Sequence, residues 1–138
     1  MTTGLAARIV EEGARLAASC TACGACVTAC PMTPFAPGVD AADPGHVAAG
    51  MRAVLRGEAE VAPEAVAWIA ACTRSAQCRD ACPERLDVPL MLRLASMRAR
   101  GALGEAPRFA TRADPGWSAR VKAFARVMLS EEEQARWL

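Results

Sequence analysis

The stretch that decides the fold is Cys20-Thr21-Ala22-Cys23-Gly24-Ala25-Cys26-Val27-Thr28-Ala29-Cys30-Pro31. Its cysteines follow the spacing C-x2-C-x2-C-x3-C and are closed by a proline. A second group, Cys72, Cys78 and Cys82, ends in the same way but has Ser75 where a further cysteine would complete the symmetry. Thiolates at such short and regular spacing are typical ligands of iron-sulfur clusters. Together the two groups predict two clusters, one of which lacks a thiolate.

The spacing also predicts how the thiolates divide between the clusters. Because Cys20, Cys23 and Cys26 are separated by two residues each, one curled loop can direct three sulfurs at one cubane. Cys30 lies a turn further on and precedes a proline that turns the chain away, so it is better placed for the other cluster. By the same argument Cys82 crosses back to the first. The first predicted site is therefore Cys20, Cys23, Cys26 and Cys82. The second is Cys30, Cys72 and Cys78, with Ser75 at the vacant corner, the corner of the cluster that has no cysteine ligand.

Composition limits the classes of function. A chain of 138 residues with 53% hydrophobic content suffices for one modest core. A formal net charge of +1 gives no excess of positive charge that could bind a phosphate backbone, so we expect no nucleic-acid partner. No apolar run approaches the roughly 18 residues of a membrane span, and charged residues interrupt the N-terminal apolar segment before it reaches the length of a signal-peptide core. We expect a cytoplasmic protein without a transmembrane segment.

The cysteine count also indicates metal ligation in a reducing compartment. Seven is an odd number, which argues against a disulfide framework and for metal ligation in a reducing compartment. Zinc also binds C-x2-C pairs, but it needs four ligands around one ion, whereas this spacing offers three close thiolates and one in each direction. His46 is the only histidine, which excludes a Rieske centre with two histidine ligands. We interpret His46 as an exposed residue of a first helical turn.

Helical periodicity dominates the chain, and alternating β-strand patterns are scarce, so we predict an all-α fold. Helices are expected over roughly residues 3–18, from Pro44 to near Gly57, from Pro63 to Cys72, from Pro89 to Gly101, and from Asp114-Pro115 through Met128. A last short helix follows Ser130, which forms the S-x-x-E pattern of a capping box with Glu133. Residues 31–38 are expected to form a loop. We divide the chain into a two-cluster domain, 1–105, and a C-terminal helical extension, 106–138.

Ser19 through Pro31, together with Trp68 through Pro89, resemble the α-helical ferredoxin domain of succinate dehydrogenase, fumarate reductase and heterodisulfide reductase C subunits. The resemblance covers roughly residues 15–100. In the first two families the second group is spaced C-x5-C-x3-C-P, as here, and holds a [3Fe-4S] cluster beside a [4Fe-4S] cluster. The heterodisulfide reductase type has a cysteine at the position of Ser75. We expect no [2Fe-2S] domain, and the size is closer to the small heterodisulfide reductase type.

The resemblance implies the cofactors. Cys20, Cys23, Cys26 and Cys82 would hold a [4Fe-4S] cluster, and Cys30, Cys72 and Cys78 a [3Fe-4S] cluster. A labile second [4Fe-4S] cluster with Ser75 as its fourth ligand is the alternative, because a serine oxygen is a harder and far less acidic ligand than a thiolate.

The function implied is electron relay by a subunit of an oxidoreductase complex, heterodisulfide-reductase-C-like or succinate-dehydrogenase-B-like, with no catalytic residue of its own. The implied partners are a flavoprotein, a heterodisulfide-reductase-B-like subunit or a quinone-reactive subunit, through which the chain would be peripheral to the membrane. Alternative functions are an iron-sulfur redox or oxygen sensor, or catalysis at an open iron of the second cluster.

Two further sets of residues each have a structural and a functional interpretation. The first set consists of apolar residues at helical spacing, which form either part of the core or a partner-binding stripe: Trp117, Val121, Phe124 and Met128. The second is interpreted as a solvated helix face, with docking of an acidic partner or a membrane surface as the alternative: Arg93, Arg98 and Arg100.

Overall fold

A computed structural model describes residues 4–109 and 117–137, and within these ranges the chain has helices and no strand. The all-α prediction is confirmed. The helices are α1 (Leu5–Ser19), α2 (Ala25–Ala29), α3 (Pro44–Arg56), α4 (Pro63–Ala71), α5 (Gln77–Ala81), α6 (Val88–Ala99), α7 (Trp117–Met128) and α8 (Glu131–Trp137). Thr3 and Asp114-Pro115, the expected starts of α1 and α7, lie outside the described residues. Among the described helices, none combines the length and apolar character needed to cross a membrane.

Side-chain caps set several of these helix boundaries. Asp43 accepts a hydrogen bond from the backbone N–H of His46 at 3.0 Å, which fixes the start of α3 and leaves His46 exposed in its first turn. Asp87 caps α6 in the same way through Leu90 at 3.1 Å, so that helix begins one residue before the predicted Pro89. At α8 the predicted capping box forms: the backbone N–H of Glu133 donates to the Ser130 hydroxyl at 3.3 Å.

Three short elements differ from the predicted loops. Helices α2 and α5 have five residues each and directly follow the cysteine loops, and a 3-10 turn, Thr33–Phe35, lies in the predicted 31–38 loop. A single helical turn contains too few residues to give a periodic apolar pattern, and in α2 and α5 a cysteine takes a buried position. These turns are therefore stabilised by their tertiary contacts more than by helix propensity.

Helix α3 lies at the centre of the fold and contacts α1, α2, α4 and α6. Gly50 of α3 faces Ala65 of α4 so closely that a Cβ at Gly50 would overlap the Ala65 methyl group. This contact brings α4 against α3. The largest fully buried side chains around it are Trp68, Met51, Leu55, Ile69, Met91, Val27, Val39, Val47 and Val54.

Arg98 of α6 is buried, with 8% of its surface exposed, so its assignment to a solvated face was wrong. Its Nη1 donates to the carbonyl oxygen of Leu55 at 2.7 Å, and its Nε donates to the carboxylate of Glu105 at 3.1 Å. This ion pair satisfies a buried guanidinium that would otherwise be costly to desolvate. The network ties the end of α3 to α6 and to the segment after it. Arg93 and Arg100 are exposed, as predicted.

Helix α7 contacts α4, and Arg120 donates a hydrogen bond to the carbonyl oxygen of Ala70. The apolar stripe of α7 faces away from the core, with Phe124 68% exposed and Met128 63% exposed. Trp117 and Val121 are exposed as well. Of the two interpretations of this stripe, the structure therefore excludes the core.

Candidate iron-sulfur sites

The first cysteine loop is curled by left-handed residues. Ala22 and Gly24 have φ of 57° and 81° and flank Cys23 on either side, so the chain bends back on itself between α1 and α2. The backbone N–H of Ala22 donates to the sulfur of Cys20 at 3.4 Å. A hydrogen bond of this kind to a ligand sulfur is one of the factors that set the reduction potential of an iron-sulfur cluster.

The first loop is also pressed against the N-terminus of α3. A Cβ at Gly24 would lie 2.5 Å from the carbonyl carbon of Pro44 and 2.6 Å from the nitrogen of Gly45. Only glycine combines this close approach with a positive φ. Asp43, which caps α3, thus helps to hold the surface on which the cysteine loop rests.

The second loop repeats the backbone of the first. Cys72 follows α4 as Cys20 follows α1, and α5 begins at the position that corresponds to the start of α2, 52 residues earlier. Arg74 and Ala76 have φ of 64° and 62° and flank Ser75 as the left-handed residues of the first loop flank Cys23. Non-glycine residues adopt this conformation at a cost, which the surrounding structure must offset. Ser75 therefore occupies the backbone position of Cys23 in a second copy of the loop.

The first cavity collects thiols from both cysteine groups. Cys82, at the end of α5, lines it together with the three loop cysteines, so that one cavity is lined by Cys20, Cys23, Cys26 and Cys82. The cavity has a volume of about 20 Å³ and is closed mainly by apolar side chains, among them Met51, Leu86, Val88 and Met91. Cys26 is buried, whereas Cys23 is exposed and lies at the solvent side.

The second cavity contains the remaining thiols. Cys30, from the first group, lines it with Cys72 and Cys78, and Ser75 lies on the same wall. With a volume of about 650 Å³, it is far larger than the first cavity. Sequence reasoning missed its other feature, a lining of arginines from separate segments: Arg74, Arg79, Arg93, Arg100 and Arg120.

Burial changes the acidity of two thiols. Burial, followed by the neighbouring sulfurs of Cys20 and Cys78, raises the pKa of Cys26 to about 12, and a backbone N–H partly opposes the change. Burial, followed by Cys72 and Cys30, likewise raises the pKa of Cys78 to about 11. Without a metal these thiols therefore hold their protons, and iron must displace them to bind.

The residues present fit iron-sulfur clusters. Soft sulfur donors are the ligands that such clusters require, and these line two cavities, the first of which is otherwise mainly apolar. Both loops are curled so that successive cysteines can face one centre. When bound, a cluster would supply one-electron redox chemistry at these positions, and the chain's own part is to orient sulfurs and exclude water.

Comparison with known proteins agrees with this chemistry. A family model described as a 4Fe-4S dicluster domain matches residues 16–86, which are 71 of the 138 residues and include all seven cysteines. Neither a curated protein nor a solved structure matches the chain. The chain therefore belongs to the 4Fe-4S dicluster domain family and is a helical, ferredoxin-like iron-sulfur protein of the electron-transfer type.

Proposed function

We propose that the chain is an electron-transfer subunit that relays single electrons within an oxidoreductase complex. The observation that carries the proposal is the exchange of cysteines between the two groups: Cys82 lines the cavity of the first loop, and Cys30 lines the cavity of the second. Each group thus contributes to both cavities. Two redox centres held in this way lie side by side, as a relay requires.

The proposed ligands follow from the cavity linings. Cys20, Cys23, Cys26 and Cys82 hold a [4Fe-4S] cluster, and Cys30, Cys72 and Cys78 hold a [3Fe-4S] cluster. The equivalence of Ser75 and Cys23 in the repeated loop supports a missing iron at that corner. A labile [4Fe-4S] cluster with Ser75 as fourth ligand remains the alternative, because serine is a poor substitute for a soft thiolate.

Two matched variants test the exchange of ligands. Cys82→Ala and Cys30→Ala each remove the cysteine that ends a five-residue helix and precedes a proline, so their effects on local structure are comparable. After anaerobic reconstitution, we expect Cys82→Ala to lose first the electron paramagnetic resonance (EPR) signal of the reduced four-iron cluster. We expect Cys30→Ala to lose first the signal of the oxidised three-iron cluster. The reverse pattern would show that each group serves only its own cluster.

The point of electron exchange with a partner is proposed at Cys23. Its side chain is exposed and lines a shallow groove formed by small residues of the first loop and the start of α3, among them Ala22, Ala25 and Gly45. Small side chains allow a partner to approach the sulfur closely. Cys26, by contrast, is buried and shielded from solvent.

We further propose that the C-terminal extension docks the partner. The stripe of α7 is a cluster of exposed apolar side chains, and such clusters often mark interaction sites. The partner would be a flavoprotein, a heterodisulfide-reductase-B-like subunit or a quinone-reactive subunit, in a complex of the heterodisulfide reductase or succinate dehydrogenase type. Its place would be the cytoplasm, where thiols stay reduced.

Truncation tests the docking role. Arg108 donates through its guanidinium to the carbonyl oxygen of Ala59, and Phe109 packs against the core, so the cut is best made after residue 109. We expect the truncated protein to keep its iron and lose co-purification with its partner from anaerobic native extracts. Loss of iron with the extension would instead indicate that α7 and α8 are part of the cluster domain. Phe124→Ser in the full chain, with the exposed Lys122→Ser as control, tests the stripe alone.

A further inference from the structure

The second cavity is much larger than the first. The two cysteine loops follow the same backbone course, so they would hold clusters of similar size. Yet the first cavity measures about 20 Å³, and the second about 650 Å³. The latter volume falls within the range of about 300–1,000 Å³ that is typical of small-molecule sites. The excess space at the second loop is therefore available to another occupant.

The charge of the second cavity is also unlike that of the first. Five of the chain's 16 basic residues line it, and no acidic residue of the described ranges does: the five are Arg74, Arg79, Arg93, Arg100 and Arg120. The lining of the first cavity contains no arginine and has Glu84 as its one charged residue among those described. A protein whose formal net charge is only +1 thus concentrates positive charge beside one of its two cysteine sites.

Some of these arginines already have protein partners. Arg79 lies 3.6 Å from Asp87, Arg120 donates to Ala70, and Arg100 donates to the Ser96 hydroxyl at 3.2 Å. Arg74 and Arg93, in contrast, make no hydrogen bond or ion pair with any residue of the described ranges. Arg74 extends from the cysteine loop beside Ser75, and Arg93 from the adjacent face of α6. Two guanidinium groups are thus available on different walls of one cavity.

The remaining lining combines apolar side chains with thiols and hydroxyl groups. Ile69, Leu92 and Met97 contribute to it, together with the hydroxyl groups of Thr73 and Ser96. A site with an apolar wall and a few convergent charged groups suits a small organic ligand, and guanidinium groups bind carboxylate and phosphate oxygens in pairs. We infer that this arginine-lined cavity binds a small anion that carries carboxylate or phosphate groups, beside Ser75. The inference rests on the proposed function, which assigns a cluster to Cys30, Cys72 and Cys78.

The test is calorimetric titration of the anaerobically reconstituted protein with two anionic probes, citrate and inorganic pyrophosphate. Triethyl citrate, which is uncharged, is the ligand control. We expect heat of binding from at least one anion and none from the ester, with the stronger of the two identifying carboxylate or phosphate recognition. Arg74→Gln and Arg93→Gln should each weaken binding about tenfold, because a hydrogen bond to a charged group is lost. Arg8→Gln, an exposed arginine on α1, should leave it unchanged.

The outcomes separate this inference from the proposed function. Iron and acid-labile sulfide are measured on the same sample, and the oxidised EPR spectrum is recorded with and without the anion. A shifted spectrum with the anion supports a site next to the cluster. Full clusters with no binding, or binding unaffected by Arg74→Gln and Arg93→Gln, would overturn the inference alone and leave the arginines a role in offsetting cluster charge. A protein that assembles no cluster would overturn the proposed function, and the inference with it.

Discussion

At the scale of single residues, Ser75 is the position that most directly distinguishes the two sites. It has the backbone position of Cys23, with a left-handed residue on each side, but an oxygen in place of sulfur. We predict that Ser75→Cys converts the second cluster to a four-iron form. The EPR signal of the oxidised protein should disappear, since an oxidised four-iron cluster is not paramagnetic, and iron content should rise by about one per chain.

The control for this prediction lies two residues away. Thr73→Cys adds a thiol to the same exposed loop, but at a position that corresponds to Thr21 and not to a ligand of the first loop. It should leave both the signal and the iron content unchanged. If both variants behaved alike, or if Ser75→Cys had no effect, the equivalence of the two loops would not extend to the metal.

The repeated loop also supplies a matched pair of backbone variants. Gly24→Ala places a methyl group against Pro44 in a left-handed conformation, whereas Ala76, the equivalent residue, already has that conformation with a side chain. We predict that Gly24→Ala destabilises the protein by at least about 2 kcal/mol and lowers iron retention. Ala76→Gly should change stability by less than about 1 kcal/mol, because relief of strain offsets the added chain entropy. Chemical denaturation under anaerobic conditions measures both. Equal effects would mean that the contact with α3 contributes little.

At the scale of elements, Arg98 links α6 to the end of α3 through Leu55 and to the following segment through Glu105. Glu105→Gln removes the charge that compensates a buried guanidinium, so we predict a loss of about 1–3 kcal/mol in the free energy of unfolding. Glu58→Gln, whose carboxylate lies 3.9 Å from Arg56 on the surface, should cost less than about 0.5 kcal/mol. A similar small cost for both would show that the pair of Arg98 and Glu105 is not stabilising.

The same pair predicts a pH dependence. The hydrogen bond from Arg98 lowers the pKa of Glu105 below its ordinary value of 4.5. The folded protein therefore binds this proton less readily than the unfolded chain, so the stabilisation is present above pH 4.5 and is lost as the pH falls through the lowered pKa. The stability difference between the protein and Glu105→Gln should accordingly shrink in acid. A difference that stayed constant below pH 4.5 would assign the effect to packing.

The elements that sequence patterns predicted are those with several turns and an end signal. Helices α3 and α4 begin at the predicted prolines, and α3 ends at Gly57 in a left-handed conformation, because these residues impose local geometry whatever surrounds them. The short helices α2 and α5 were missed, since their stability comes from contacts with each other and with α3 or α6. Arg98 was assigned to the wrong environment because its partners, Leu55 and Glu105, are distant or outside the helical pattern.

At the scale of the whole molecule, the cysteine spacing predicts ligand sets that mix the two groups, and in the structure Cys82 and Cys30 each line the cavity opposite their own loop. This grouping could be predicted because a short loop can supply only three neighbouring ligands, and a proline turns the chain away after the fourth cysteine. The arginine-lined cavity could not be predicted from the sequence. Its charged residues come from α5, α6, α7 and the second loop, and no local pattern relates Arg74 to Arg93 or Arg120.

The central claim is that the seven cysteines hold two iron-sulfur clusters, one with a vacant corner. The most direct test is the iron and acid-labile sulfide content of protein prepared and kept without oxygen. A [4Fe-4S] and a [3Fe-4S] cluster predict about seven irons and about eight sulfides per chain, in a coloured protein. Zinc without acid-labile sulfide, or iron and sulfide sufficient for only one cluster after full reconstitution, would contradict the account.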